Sequence, residues 1–577
     1  MSRLNRMYPL LISWDRDRPY PEVTLDTREL QPTLRAGSVD CLWHHGFIAN
    51  RAEIISKLGL APSISDSAIL MALYVRNGKE AARLIAGPFA WIIWDANAKE
   101  LVAVRDRIGI QGLYYAAQGT EIILANRVEL LLRSAAGLGT PNLRSIAAHI
   151  NAEPPLDGET FYAKINAVVP GGILSVTQKE IKLTRYWRVA AQPTLNLTSD
   201  AGYADRFREL LFKVVAEYVP AKEVGVTLSG GMDSTTVAAA LKSVSPDIPL
   251  VAFSWVSPEL PESDESEYSS AAASYLGLPT TTLRADLHWP LSSRLGLETR
   301  MATPFCNAYT DLWMATYEVI RQCGITVLFS GYSGDHLFGG DVFSYPDLLL
   351  TGHWVELVRQ VKANLPYSGL SLGDLIRVGV LSPIAQAYLP FKRKSRKRSV
   401  PWLTAQYQQI YLDCFADLEE HAYGLPGKQQ RLDHLRDRSL AHIAENMNLL
   451  ADDYEIELRH PLCDHRLFEF AATIPSTQTY RAAVRKIIMR NAMRGYLPDQ
   501  VVGMIYKILP SAIVIRGLRE REQSKVMALM TNMRAAEMGF VDERRLNENY
   551  SDYVSGKHDD DLFWDTLTLE DWLRRYF

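Results

Sequence analysis

Ser229, Gly230, Gly231, Met232, Asp233 and Ser234 stand between an apolar run, VGVTL (224–228), and a stretch with helical spacing, TTVAAAL. A strand that passes through two glycines into a helix turns several backbone N–H groups toward one point at the positive end of that helix, and this is the chemistry of anion binding. The serine hydroxyls add donors, and the aspartate adds a carboxylate. An ordinary glycine-rich turn accounts for the two glycines; it does not account for two serines and an aspartate beside them. The loop has neither the Walker form GxxxxGK[ST] nor that of a nucleophile elbow. Five cysteines (Cys41, Cys306, Cys323, Cys414, Cys463) form no CxxC pair, and no HExxH occurs, so reduced buried thiols are expected in place of a metal or disulfide framework.

The elements that must position this loop are legible in the pattern of apolar residues. Strand-length runs at 224–228, 248–256, 280–283 and 325–330 alternate with helices, which predicts a parallel sheet covered on both faces. Phe207, Leu210, Leu211, Val214, Val215 and Tyr218 recur at helical spacing and open this second unit. Before it, ELVAVRDR, EIILANR and GGILSVTQ read as strands and SDSAILMALYVRNG and SIAAHINA as helices, a layered α/β or α+β domain. The expected division is 1–190 and 200–577, joined by AAQPTLNLTSDAG, with a helical pattern from about 350 to the end. With 62 Lys+Arg against 66 Asp+Glu in 577 residues, the charges nearly cancel, so no nucleic-acid partner is expected. The apolar run before Asp15 is too short for a signal core or a membrane span; a cytoplasmic protein without a membrane partner is expected. The basic cluster Lys392, Arg393, Lys394, Arg396, Lys397, Arg398 reads as a solvated loop or as a contact for an acidic peptide.

The SGGMDS loop resembles the pyrophosphate loop of ATP-pyrophosphatases, and its context resembles the asparagine synthetase superfamily. The matching segments are SD (65–66), GPFAWIIWD (87–95), RDRIGIQGLYY (105–115), FSWV (253–256), DESEYSSAAA (264–273), SGYSGDHLFGG (330–340), IELRHPLCDHRLFEFAATIP (456–475) and VRKIIMRNAMRGYLP (484–498). The resemblance implies an N-terminal nucleophile-hydrolase-like layered domain followed by an ATP-pyrophosphatase-like (HUP) parallel-sheet synthetase domain with a helical C-terminal part. It implies ATP and Mg2+ as cofactors, nucleotide contacts from Leu228, Ser229, Gly230, Gly231, Asp233, Ser234, Phe253, Ser254 and Gly331, and magnesium held by Asp233 and Asp335. Arg485, Lys486 and Arg490 are expected at phosphate or at a domain contact.

Two departures from the superfamily pattern bear on function. Amidotransferases of this type expose a cysteine after loss of Met1, and here residue 2 is Ser. The segment that would hold glutamine reads HHGFIAN (44–50), with His45 and Phe47 where polar partners are expected, so a glutaminase-like domain retained as scaffold is predicted, with a serine nucleophile at residue 2 as the alternative. Tyr332 stands where asparagine synthetases have Glu, a pattern closer to β-lactam synthetases and, in GDHLFG, to lasso-peptide macrolactam cyclases. That comparison implies a relay of Tyr332 with Glu445 to accept the amine proton, and Lys507 on the developing charge of the intermediate. The alternatives are a packed loop aromatic, a solvated helix residue and a surface lysine. The expected reaction is ATP-dependent closure of a lactam or macrolactam on a small-molecule or peptide substrate, with a precursor peptide delivered by a leader-binding protein and leader protease as one case. An ammonia-using asparagine synthetase-like enzyme and a non-catalytic nucleotide-binding scaffold stay open as alternatives.

Overall fold

The computed structural model describes residues 10–25, 34–292, 302–304, 307–340, 344–388, 399–416, 425–505 and 508–577. Among the described residues eleven strands precede residue 186: β1 Leu10–Asp15, β2 Glu22–Leu25, β3 Leu34–Ala36, β4 Val39–Gly46, β5 Phe89–Asp95, β6 Glu100–Arg105, β7 Tyr114–Gln118, β8 Glu121–Ala125, β9 Asn166–Ala167, β10 Gly172–Val176 and β11 Ile181–Arg185. They form two antiparallel sheets, β2-β1-β8-β7-β9 and β11-β10-β6-β5-β4-β3. β1 alternates buried and half-buried positions. It sends Leu10, Ile12 and Trp14 toward Ile92, Trp94, Leu101 and Ala103 of the facing sheet. The outer face of the second sheet is covered by α1 (Asp66–Asn77), whose Ile69 and Leu73 share a core with Trp91 and Val104. A helix-sheet-sheet-helix stack follows, because each sheet is apolar on both faces and must be covered twice.

The fourth layer draws on both ends of the chain. α2 (Leu143–Ile150) shares one core with Tyr162 and with Leu567 and Trp572 of the last helix, Phe563–Tyr576. The C-terminal part thus closes over the N-terminal sheets.

The second sheet system follows α3 (Asp200–Tyr218), which buries Phe207, Leu211, Val214, Val215 and Tyr218 as its periodicity predicts. Strands β12 (Val224–Thr227), β13 (Leu250–Val256), β14 (Thr280–Arg284), β15 (Val327–Phe329) and β16 (Glu457–Arg459) pair in parallel in the order β14-β13-β12-β15-β16. β16 and a two-stranded hairpin at 480–485 correct the expectation of a purely helical pattern beyond 350. Three residues of β16 are too few to show an alternation, and pairing with β15 makes them a strand. Cys41, Cys414 and Cys463 are buried thiols as expected, whereas Cys323 is exposed at the end of the helix Thr310–Gln322. Cys306 and the basic cluster 392–398 lie outside the described residues. Among the described residues no helix is long and apolar enough to cross a membrane.

Candidate active site

β12 sits in the middle of the parallel sheet. The chain steps from it to β13 and β14 on one side and then to β15 and β16 on the other, so the loops leaving β12 and β15 diverge at their C-terminal ends. A crevice of about 920 Å³ opens there. Leu228, Ser229, Gly230, Gly231, Asp233, Ser234, Phe253, Gly331, Tyr332 and Asp335 line it, so most of the residues marked in the sequence are brought together. The volume is near the upper end of the ~300–1,000 Å³ typical of ligand sites, room for a nucleotide and a second ligand.

The anion-binding end is built from the β12 loop. α4 (Met232–Val244) begins at Gly231 without a side-chain cap, so the N–H groups of its first turn face outward at the positive end of the helix. Ser234 Oγ accepts the Ser229 N–H at 3.0 Å and lies 2.9 Å from Ser229 Oγ, while Ser229 Oγ accepts the Gly231 N–H at 3.2 Å. These bonds shape the loop. Gly334 opens the short helix α5 (Gly334–Phe338), which carries Asp335, and a Cβ at Gly334 would stand far inside van der Waals contact with Asp233 Oδ1. Only glycine lets the two loops approach this closely.

Lys486 enters from the opposite wall. Its backbone is left-handed, φ 60°, and its Nζ lies 2.6 Å from Asp233 Oδ2 and 2.7 Å from Asp335 Oδ1. Burial works against the ammonium, but the two carboxylates outweigh it and raise its pKa. Arg485 and Arg490 line the same end. The donor set suits magnesium, which takes one or two protein carboxylates and completes its shell with water and phosphate oxygens. Among the described residues no group of three or more His, Cys, Asp or Glu forms a metal cage. Two aspartates beside an anion-binding loop therefore fit a metal that arrives with a phosphate ligand.

The crevice also has an apolar and aromatic wall of Trp255, Trp313, Ile443 and Met447, and Tyr332 lines it too. Its hydroxyl donates to the Leu440 carbonyl at 2.9 Å, and its ring meets His460 edge-on at 5.5 Å. Burial pushes the His460 imidazole down to about 4, so it is neutral at pH 7; its Nδ1 lies 2.6 Å from Ser330 Oγ.

Two expectations are corrected. Glu445 lines a separate cavity at the seam between the sheet systems, where it accepts from Arg105 Nη2 at 2.8 Å and from the Tyr114 hydroxyl. It is a buried, paired group, and so neither the partner of Tyr332 nor a solvated residue. Ser254 also lies off the crevice: its hydroxyl donates to the Leu228 carbonyl at 2.7 Å and ties the end of β13 to that of β12. Lys507 and Ser2 lie outside the described residues. Lys486, expected at phosphate or at a domain contact, lies between Asp233 and Asp335. Trp313, Ile443 and Met447 carried no signal beyond apolarity.

The HHGFIAN segment is absorbed into packing. His44 is buried, and burial together with His44 and Arg127 pushes the His45 imidazole down to about 3. Phe47 packs against the Tyr218 ring at 5.0 Å, with the Arg459 guanidinium 4.2 Å from its centroid. Asp66, of the SD pair, accepts from Arg51 and from the Ile48 N–H.

Comparison with known proteins agrees with this layout. The family model for asparagine synthase matches residues 206–574, and that for the glutamine amidotransferase domain matches residues 23–187. Asparagine synthetase [glutamine-hydrolyzing] 1 of Bacillus subtilis is 22% identical over 476 residues, covering 79% of this chain and 73% of that protein. Amidase chry2 of Gibberella zeae is 24% identical over 536 residues, covering 83% and 77%, and amidase chyE of Penicillium rubens is 23% identical over 552 residues with the same coverage.

Proposed function

The chain belongs to the asparagine synthase family, and from that premise we propose that this ATP-dependent amide-forming ligase is a cyclase that joins a carboxylate and an amine of one substrate. The substrate carboxylate would attack the α-phosphorus of ATP, forming an acyl-adenylate and releasing pyrophosphate. The amine would then attack the acyl carbon, lose a proton and expel AMP. Magnesium, when bound, neutralises phosphate charge, and Asp233 and Asp335 are the residues to hold it. The observation that carries the reading is the convergence of the Ser229–Ser234 loop, Asp233, Asp335 and Lys486 in one crevice that Tyr332 also lines.

The division of labour follows from the geometry. The outward N–H groups of α4 and the two serine hydroxyls receive the phosphates. Lys486 supplies a fixed positive charge beside them. An attacking amine begins as ammonium, with a pKa near 10 for a lysine-like amine or about 8 for an α-amine, so its proton needs an acceptor. Tyr332, held through its hydroxyl by the Leu440 carbonyl, is the group we assign to that step.

The replacement of polar residues by His45 and Phe47 in the segment that would hold glutamine supports a silent glutaminase-like domain, so the amine would come from the substrate and not from glutamine. A lactam or macrolactam in peptide or β-lactam natural-product biosynthesis is the product class proposed. A precursor peptide, with its leader-binding protein and leader protease as partners, is the substrate that fits this reading. The experiment is ATP–pyrophosphate exchange with purified protein, run in parallel with aspartate plus ammonium and with peptides carrying a free amine and a side-chain carboxylate. Exchange and ring closure with a peptide support the proposal; asparagine formation from ammonium would replace it.

A further inference from the structure

The helix Arg438–Asp452 (α6) has two working faces. On one, Ile443 and Met447 line the crevice, and the Leu440 carbonyl accepts the Tyr332 hydroxyl at 2.9 Å although Leu440 itself also borders the seam cavity. On the other, His442 and Glu445 face the N-terminal sheets across a cavity of about 160 Å³. Helical spacing of three to four residues places the two sets on different sides of one rod.

The seam side is tightly built. Arg105 is 3% exposed and Glu445 8%; Arg105 donates to Glu445 at 2.8 Å, to the Val168 carbonyl at 3.0 Å and to the Gly109 carbonyl at 2.7 Å. The Tyr114 hydroxyl donates to the other oxygen of Glu445, and the carboxylate in turn raises the pKa of that buried tyrosine further than desolvation alone. The loop after Arg105 is rigid in its own right, because Asp106 accepts the N–H groups of Ile108, Gly109, Ile110 and Gln111. Gly112 completes the fit: a Cβ there would stand 2.7 Å from Glu445 Oε1. A buried charge pair specifies one geometry more than it adds stability.

We infer that Glu445 is a positioning residue: the Arg105–Glu445–Tyr114 contacts hold α6 against the N-terminal sheets, and α6, through the Leu440 carbonyl, sets the place of Tyr332 in the crevice. The glutaminase-like domain is then one wall of the mould that shapes the synthetase site. The effect on rate rests on the amide-forming reading of the crevice; the mechanical coupling does not. The seam contains its own control, since Arg127 pairs with Asp452 at 2.5 Å and Asp453 at 3.4 Å at the far end of α6, away from the Tyr332 contact.

The test is amide hydrogen exchange by mass spectrometry on the full chain, comparing Glu445→Gln, Tyr114→Phe and Arg127→Gln with the wild type. Both lock variants should raise exchange roughly fivefold or more in peptides covering 438–446 and 330–338. Arg127→Gln should raise it only near 449–453, and α4 should stay unchanged in all three. Tyr114→Phe loses one hydroxyl and keeps its ring, so it reports even if Glu445→Gln folds poorly. In the activity arm, Glu445→Gln should slow amide formation by about 10- to 100-fold while pyrophosphate exchange holds, and should add no further loss to Tyr332→Phe. Exchange that rises only at the seam while 330–338 stays as in the wild type would overturn the inference, as would additive losses with Tyr332→Phe. A chain that forms no amide would remove the functional reading, and the exchange result would still decide the coupling.

Discussion

Replacing Lys486 with methionine removes the ammonium that lies 2.6 Å from Asp233 and 2.7 Å from Asp335 while keeping most of the stem's volume. The lysine side chain is 8% exposed and that of Asp335 44%, so one contact is buried and the other is screened by water. Removing one partner of a buried pair costs about 3–5 kcal/mol, and screening at Asp335 puts this case at the low end, about 3 kcal/mol. Unfolding entropy near 2.1 cal/mol/K per residue, taken over the 577 residues of the chain, turns that loss into a fall in melting temperature of about 2–3 °C. The sign of a second effect follows from the same geometry. With the ammonium gone, Asp233 and Asp335 face each other, and millimolar Mg2+ should bind between them and restore much of the lost stability, whereas in the wild type the lysine competes with the metal. Differential scanning fluorimetry with and without MgCl2 reads both numbers. A variant that melts with the wild type would refute the stabilising ion pair, and one that gains no more from magnesium than the wild type does would refute the assignment of the two carboxylates to the metal.

Further outcomes are expected. Gly334→Ala should leave the folded-state spectrum intact and weaken Mg-ATP binding at least tenfold by calorimetry, because its methyl group would push Asp233 out of place; unchanged affinity would contradict the close approach of the two loops. Acidification should destabilise the protein in part through His460, pushed down to about 4 against about 6.5 when unfolded. Its contribution is fully present above pH 6.5 and is lost as pH falls toward 4, at about 1.4 kcal/mol per unit. The difference in urea midpoints between wild type and His460→Gln across pH 4–7 isolates this group from Asp565, which burial raises to about 8 and which acts with the opposite sign. Incubation with glutamine should release no glutamate above a no-enzyme control, and Ser2→Ala should change nothing, because Phe47 is packed on Tyr218 in the segment that would hold glutamine; glutamate release that vanished in Ser2→Ala would restore a glutaminase role.

The crevice was legible where local chemistry and local structure coincide. The Ser229–Ser234 loop joins a strand and a helix that are adjacent in sequence, so its residue types alone announce an anion site, and the strands on which it rests show themselves as apolar runs. Legibility ended where function depends on which side of an element a residue takes. Glu445 and Leu440 lie on one helix, and nothing local says that the first pairs with Arg105, 340 residues away, while the backbone carbonyl of the second accepts from Tyr332. Ser254 sits in an apolar strand beside the nucleotide loop, yet its hydroxyl is spent on the Leu228 carbonyl. Lys486 needed the tertiary meeting of two loops and a hairpin before its role could be seen. The docking of the last helix onto α2 is a pairing of distant apolar faces that no periodicity encodes.

The central claim is that the carboxylate is activated as an acyl-adenylate in the crevice above β12 and β15. It is tested most directly with an ¹⁸O-labelled carboxylate substrate selected by pyrophosphate exchange. After turnover with unlabelled ATP and Mg2+, mass spectrometry of the nucleotide should find AMP carrying one ¹⁸O from the carboxylate, together with unlabelled pyrophosphate, and Asp233→Asn should abolish both. Formation of ADP with the label in inorganic phosphate, or of AMP without label, would contradict the account.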